Sequence, residues 1–365
     1  MKIIFRTDAS LYIGNGHLVR CLNLARSLKK LNAECIFICR DFKNKLFENI
    51  RKENFKLILL PIVDSEINKK IKIKNESSYF DRHKLNWQLD AEETIEALDR
   101  EQIDLLIIDH YEIDTKWEKK LRQYSKKIMV IDDLNNINHD CDFFLNQNLG
   151  SSEILYQELL PSKCKQFHGP KFALLNPIYS LSKLKLINRL GKINRTLIYF
   201  GGSNDSIKLT EITIEIFSDP ELINIKLDIV INSDIDGLFD IEKIASKRGL
   251  IEIHHDLPNL AKLMLNADLA IGAGGSTTWE RCAMGLPSII VVSAENQKLS
   301  SDNMSSLGAA YVFYPNKNLK TQIKNSIIKL QKNINIYKNM SNQALSICDG
   351  NGAQRISEII LKDYR

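Results

Sequence analysis

Short runs of β-branched and other apolar residues alternate with longer amphipathic segments along most of this chain. Few folds accommodate that pattern: each run is a strand, each amphipathic segment a covering helix, and the strands lie parallel. The alternation occurs in two series. The first predicts strands at Ile3–Arg6, Cys35–Cys39, Leu57–Leu60, Leu105–Asp109, Ile128–Asp132 and Phe143–Asn146, and the second at Thr196–Phe200, Leu227–Ile231, Ile251–His254, Leu269–Gly272, Ser288–Val292 and Tyr311–Phe313. Between them, residues 149–194 hold Pro161, Gly169, Pro170 and Pro177 without a clear period, so the domain boundary is expected near their end. A length of 365 residues exceeds what one core usually sustains. The expected architecture is therefore α/β, with two Rossmann-like domains whose parallel sheets face an interdomain cleft. Residues 1–185 form the first, 190–350 the second, and 351–365 a terminal helix with Ile356, Ile359 and Ile360 at helical spacing that packs back on the body. A single barrel is the rival. Within the region 61–95, Asn68 to Asp90 is rich in Lys, Asn and Ser and reads as a solvated insertion without chemistry.

Composition narrows the partners. A net charge of +5 is too dilute for a nucleic-acid or lipid footprint, which shows as clustered Lys and Arg. The seven cysteines are scattered, with no Cys-x-x-Cys pair, which argues against a disulfide framework or a structural zinc site. No apolar run approaches the roughly 18 residues of a membrane span, and Met1 leads straight into a strand-like segment with no secretory signature. A cytoplasmic protein acting on a small molecule is expected, a monomer by default.

The most informative stretch is Ile271 to Pro287, which reads as strand, glycine turn, hydroxyl N-cap, helix, Gly285 C-cap and Pro287 stop. Glycines at 274 and 275 let backbone amides approach a ligand, and the helix beyond presents unsatisfied N–H groups, an arrangement suited to phosphate. Glu280 has two readings: the acidic member of a Thr277-x-x-Glu280 capping box, or a carboxylate that accepts two hydrogen bonds from a ribose. Near the start, Gly14-Asn15-Gly16-His17 turns the chain into a helix whose buried stripe is Leu18, Cys21, Leu22, Ala25 and Leu28. His17 falls outside that stripe in the first turn, where the macrodipole favours a neutral imidazole able to take a proton from water. Asp109-His110-Tyr111, Asp132-Asp133, Asn146-Gln147-Asn148, Ser203-Asn204-Asp205 and Ala294 to Gln297 follow strand ends, where ligand contacts gather but turn-forming roles are commoner. Asp132-Asp133 as a divalent metal site is a weak case without further ligands.

At these residues the chain resembles the PseG family, the UDP-2,4-diacetamido-2,4,6-trideoxy-β-L-altropyranose hydrolases of pseudaminic acid biosynthesis, themselves similar to the inverting glycosyltransferase MurG. The matching segments run in the family's order from residue 2 to about 300: Arg6 to Ser10, Ile13 to His17, Arg20 to Leu22, Asp109 to Tyr111, Asp132 to Leu134, Leu145 to Asn148, Gly201 to Ser203, Ile271 to Pro287 and Asn296-Gln297. The resemblance implies a GT-B architecture, no cofactor, no metal, and a UDP-sugar as substrate. It makes His17 the general base and places the sugar at Asp8, Gly14, Gly16, Arg20, Tyr111 and Asn296. UDP falls to Gly202, Ser203, Gly274, Gly275, Ser276, Thr277, Glu280 and Gln297. Two departures stand out: Thr7 replaces a common alanine, and Asn176-Pro177-Ile178-Tyr179 replaces an Arg-x-Glu-Phe stretch, which bears on the sugar's identity more than on the reaction. The implied reaction is attack of a His17-held water on the anomeric carbon, with inversion and departure of UDP. A GT-B glycosyltransferase, a UDP-sugar 2-epimerase and a non-catalytic UDP-sugar binding module are the alternatives.

Overall fold

The computed structural model describes residues 1–10, 13–62, 85–183, 191–201, 205–233, 235 and 237–364. The chain divides into two units, Met1–Gln147 with Ser151–Leu174 and Ala353–Arg365, and Asn148–Gly150 with Leu175–Gly352.

The first unit is built on β1 (Lys2–Thr7), β2 (Glu34–Arg40), β3 (Lys56–Leu60), β4 (Ile103–Asp109), β5 (Ser125–Ile131), β6 (Phe143–Asn146) and β7 (Lys165–His168). They lie in the order β3-β2-β1-β4-β5-β6-β7, every pair parallel. The apolar runs are continuous because both sheet faces are covered. Ile3, Phe5, Phe37, Leu105, Ile107 and Met129 join the core that takes Leu18, Cys21, Leu24 and Leu28 of helix Gly16–Lys30, whereas Ile4, Ile36, Ile38, Leu106, Ile108 and Val130 join the core of helices Trp87–Ala97 and Thr115–Leu121. This alternation along each strand is the period of two that a pleated strand imposes.

The second unit holds β8 (Arg195–Tyr199), β9 (Lys226–Ile231), β10 (Ile251–His255), β11 (Leu269–Ala273), β12 (Ser288–Val291) and β13 (Tyr311–Phe313), all parallel, in the order β10-β9-β8-β11-β12-β13. Both sheets therefore reverse direction next to their first strand, between β1 and β4 and between β8 and β11. In doubly wound sheets that switch point, at the carboxyl ends, is where ligands bind. Two Rossmann-like domains with parallel sheets match the expected fold class.

Three details differ from expectation. The boundary lies at 174/175 rather than near 185–190, because helix Pro177–Lys183 belongs to the second unit. There Tyr179 is fully buried and its hydroxyl accepts the Leu260 N–H at 3.1 Å. β7 lies in the stretch that showed no period: it is a four-residue edge strand with Phe167 as its buried apolar residue, too short to register as a pattern. Finally, residues 87–90 are not a solvated insertion. They open helix Trp87–Ala97, whose N-cap Asn86 accepts the Leu89 N–H at 3.2 Å, and Asp90 is fully buried. Residues 63–84 of that region lie outside the described residues.

The terminal helix Gly352–Lys362 belongs to the first unit, with Ile356 and Ile360 in its core. Beyond it Asp363 pairs with both Lys127 and Lys165, and the Tyr364 hydroxyl donates to the Asp104 carbonyl at 2.5 Å. No helix among the described residues is long and apolar enough to cross a membrane.

Candidate functional site

At the switch point of the first sheet, β1 and β4 end side by side with Thr7 opposite Asp109. Helix Gly16–Lys30 starts above these ends after a tight turn in which the Gly14 N–H donates to the Ser10 carbonyl at 2.8 Å. Gly14 has φ +80, a conformation that strains any residue with a Cβ. Its exposed surroundings, and those of Gly16, leave open space where a side chain would stand. His17 and Arg20 then lie three apart on one helix face, and both reach Asp109. His17 Nδ1 is 2.5 Å from Asp109 Oδ1, while Arg20 Nε and Nη2 donate to Oδ2 and Oδ1, each at 2.6 Å.

So short a contact with a carboxylate makes Nδ1 the protonated nitrogen of His17 and leaves Nε2 as the one able to accept a proton. Arg20 Nη2 also lies 3.3 Å from Nδ1, a longer approach that the carboxylate outcompetes. All three side chains are buried. Burial alone would raise the Asp109 carboxyl, but Arg20 and His17 together hold it well below the usual carboxylate range.

Two residues past β4, the Tyr111 ring meets His17 edge to face with centroids 4.4 Å apart, and its hydroxyl donates to Asp133 Oδ1 at 2.7 Å. Asp133, which follows β5, also stands 3.7 Å from Arg20 Nη1. Burial beside this carboxylate pushes the Tyr111 phenol well above its ordinary value, so it remains a neutral donor. The structure thus brings His17, Arg20 and Tyr111 together.

Asp8, expected at the sugar, is buried beneath this group. Its oxygens take Arg6 Nη1 at 2.6 Å, the Arg40 N–H at 2.7 Å and His110 Nε2 at 3.2 Å. Arg6 and Arg40 converge in turn on Asp90, with Nη2 to Oδ2 distances of 2.6 Å and 2.7 Å, and Trp117 Nε1 donates to the same carboxylate at 2.9 Å. Asp8 therefore acts on the site by holding His110, the residue before Tyr111. Asp132 and Asp133 do not converge on a shared point: Asp132 Oδ2 accepts the Leu134 N–H at 3.2 Å, while Asp133 faces Tyr111 and Arg20.

In the second unit the glycine turn follows β11. The Gly274 N–H donates to Gln297 Oε1 at 3.2 Å, and the Ser293 N–H donates to the same oxygen at 3.1 Å. A Cβ on Gly274 would come 2.5 Å from Ser301 Oγ, so a side chain there would have to displace Ser301; at Gly275 the same construction meets nothing. Gln297 is thus the clamp of the loop, and the space at Gly275 is where a ligand can approach. Ser276 is the N-cap of helix Thr277–Ala283 and provides no side-chain cap. A capping box with Ser276 would need its acid at 279, which is Trp279, so Glu280 is one residue out of register for that role.

Glu280 sits instead against the Tyr179 hydroxyl, and burial pushes its carboxyl up to about 7 despite that hydroxyl and Arg281. Arg281 is buried behind the turn, where Nη2 donates to the Ala273 carbonyl and to Thr278 Oγ1, both at 2.8 Å; burial lowers it to about 10. Asn296 is exposed in the short turn Glu295–Gln297. Gly202 and Ser203 lie outside the described residues. Among the described residues, Asp228, Glu252 and His254 cluster as a metal site would, but Asp228 already accepts Arg195 and His254, and Lys226 stands 3.1 Å from Glu252.

Sequence alone gives no site role to Asp109, Tyr179 or Arg281, and to Asp133 only the weak metal case it shares with Asp132. Asp109 and Asp133 are visible in sequence as polar residues just after strands, but only the fold shows that they serve His17, Arg20 and Tyr111 rather than turns.

Residues 196–359 match the glycosyltransferase family 28 C-terminal domain. The chain is 27% identical over 311 residues to the uncharacterized protein MJ1062 of Methanocaldococcus jannaschii, an alignment that takes 83% of this chain and 58% of that protein. It therefore spans little more than half the length of this relative. It is also 27% identical over 277 residues to the UDP-2,4-diacetamido-2,4,6-trideoxy-beta-L-altropyranose hydrolase of Campylobacter jejuni, covering 76% of this chain and 86% of that enzyme. Among solved structures, MurG of Acinetobacter baumannii matches with a TM-score of 0.62 at 14% identity, covering 99% of this chain and all of that one. The fold is that of the GT-B glycosyltransferases, and the match to the family 28 domain lies mostly within the second unit.

Proposed function

We propose that this protein hydrolyses a UDP-linked 2,4-diacetamido-2,4,6-trideoxy sugar at the anomeric carbon, with inversion, releasing UDP and the free sugar for pseudaminic acid biosynthesis. The observation that carries the reading is the His17–Asp109 pair, a buried carboxylate fixing the imidazole through Nδ1 at 2.5 Å so that Nε2 is the basic nitrogen. The similarity to the C. jejuni hydrolase supports the same substrate class.

In this mechanism Nε2 holds the attacking water and takes its proton as the anomeric carbon opens, and Asp109 stabilises the charge that develops on the ring. Arg20 keeps Asp109 ionised and oriented; Tyr111, a neutral donor, positions the sugar together with Asn296 and the open turn at Gly14 and Gly16. The second domain holds UDP, with the diphosphate at Gly274, Gly275, Ser276 and Thr277 assisted by Gly202 and Ser203, the ribose at Glu280, and Gln297 keeping the turn in shape. UDP is a good leaving group when its charge meets backbone amides and a helix N-terminus, so no metal enters the mechanism.

The family 28 match favours one competitor, a glycosyltransferase in which His17 deprotonates an acceptor hydroxyl instead of water. Incubating the protein with a panel of UDP-deoxysugars and no acceptor separates the two. Hydrolysis predicts stoichiometric UDP release, and a transferase predicts none beyond background.

A further inference from the structure

We propose that Cys141 and Cys164 form an oxidisable thiol pair, closed to an intramolecular disulfide by a peroxide-class oxidant. Cys164 immediately precedes β7, and Cys141 lies two residues before β6, the neighbouring strand. The Lys165 N–H donates to the Asp142 carbonyl at 2.9 Å, which ties the two connections side by side. The sulfurs stand 3.6 Å apart, in contact but unbonded. A disulfide needs about 2.05 Å, a closure that rotation of the two side chains supplies when the backbones already run as paired neighbours.

The two thiols differ in access. Cys141 is buried, whereas Cys164 is partly open to solvent. The adjoining Cys164 sulfur and burial both push the Cys141 thiol far up, so the solvent-accessible Cys164 is the one that meets the oxidant first. The Cys164 thiol and hydrogen peroxide give the sulfenic acid and one water. The Cys141 sulfur then attacks the sulfenic sulfur, forming the S–S bond while its own proton and the leaving hydroxide combine as a second water. The other five of the seven cysteines, Cys21, Cys35, Cys39, Cys282 and Cys348, are all buried, so nothing in their exposure competes.

The test treats the reduced full-length protein with stoichiometric hydrogen peroxide, denatures it, alkylates the remaining thiols and maps the digest by mass spectrometry. The expected result is five alkylated cysteines and one peptide pair joining Cys141 to Cys164 with the loss of two hydrogens, reversed by dithiothreitol. Cys141→Ser should instead leave Cys164 as a sulfenic acid that dimedone traps. Seven alkylated cysteines after treatment, or a disulfide joining other positions, would overturn the proposal. So would a Cys164 that dimedone labels equally in wild type and in Cys141→Ser, because the pair would then not be resolving.

Discussion

Replacing Glu280 with Gln should strengthen the fold and weaken nucleotide binding in the same variant. The carboxyl is pushed by burial from its ordinary 4.5 up to about 7. A folded-state value above the unfolded one means that ionisation opposes folding: the penalty is absent below about pH 4.5, grows as pH rises toward 7, and is complete above it. A shift of that size corresponds to about 3 kcal/mol, so at pH 8 the neutral isostere should be about 1 to 3 kcal/mol more stable than wild type and no different at pH 4. Nucleotide binding should move the other way. A ribose diol donates to the ionised carboxylate, and a site titrating near 7 is about tenfold less ionised at pH 6 than at pH 8. Calorimetric titration with UDP should therefore show an affinity that rises about tenfold from pH 6 to pH 8 in the wild type. In Glu280→Gln the profile should follow only the titration of UDP itself, and affinity at pH 8 should be lower by about 1 to 3 kcal/mol through loss of charge-assisted bonds. A variant less stable than wild type at pH 8, or one pH profile for UDP shared by the two proteins, would rule out this role for Glu280.

Other outcomes follow from the same geometry. His17→Leu should lower turnover by about 10² to 10⁴ while UDP affinity, measured by calorimetry, stays within a factor of two or so, because the base and the nucleotide loop belong to different domains. Asp109→Asn should lower turnover by about 10³ to 10⁴ by disturbing the imidazole tautomer, and denaturant titration should show a loss of about 3 to 5 kcal/mol as Arg20 loses its buried counter-charge. Because Asp109 and Asp8 are held below the usual carboxylate range in the folded protein, their contribution is complete above about pH 4 and lost below it; ellipticity followed from pH 6 downward should show cooperative unfolding below about pH 4, with an earlier onset in Asp8→Asn than in wild type. Turnover should survive exhaustive chelation, and loss in chelator restored by magnesium would move leaving-group stabilisation from the glycine turn to a bound ion.

Much of this architecture is legible in the sequence because parallel strands covered on both faces are written as short continuous apolar runs. Strands such as Ile3–Arg6 and Leu105–Asp109 needed only a residue or two at their ends. β7 escaped because an edge strand of four residues carries one buried side chain and leaves no period to detect. Asp90 escaped for a different reason. It sits in a polar neighbourhood of the sequence, and only the return of helix Trp87–Ala97 to the ends of β1 and β2 shows that it neutralises two buried arginines. The position of His17 at a helix start is readable, but its partner is 92 residues away, and a contact at such separation leaves no local mark. Glu280 illustrates the reverse case: the spacing admitted two roles, and the helix beginning one residue earlier than the capping box requires, with Ser276 as its N-cap, separated them.

The proposed hydrolysis stands or falls with water, activated at His17, attacking the sugar carbon. The most direct measurement runs the reaction on a UDP-2,4-diacetamido-2,4,6-trideoxy sugar in ¹⁸O-labelled water with no acceptor present, following the nascent anomer by NMR and the UDP by mass spectrometry. Hydrolysis at His17 gives unlabelled UDP and a free sugar that first appears with inverted anomeric configuration, at a rate that collapses in His17→Leu. Labelled UDP, a retained anomer, or turnover that begins only when an acceptor alcohol is added would contradict it.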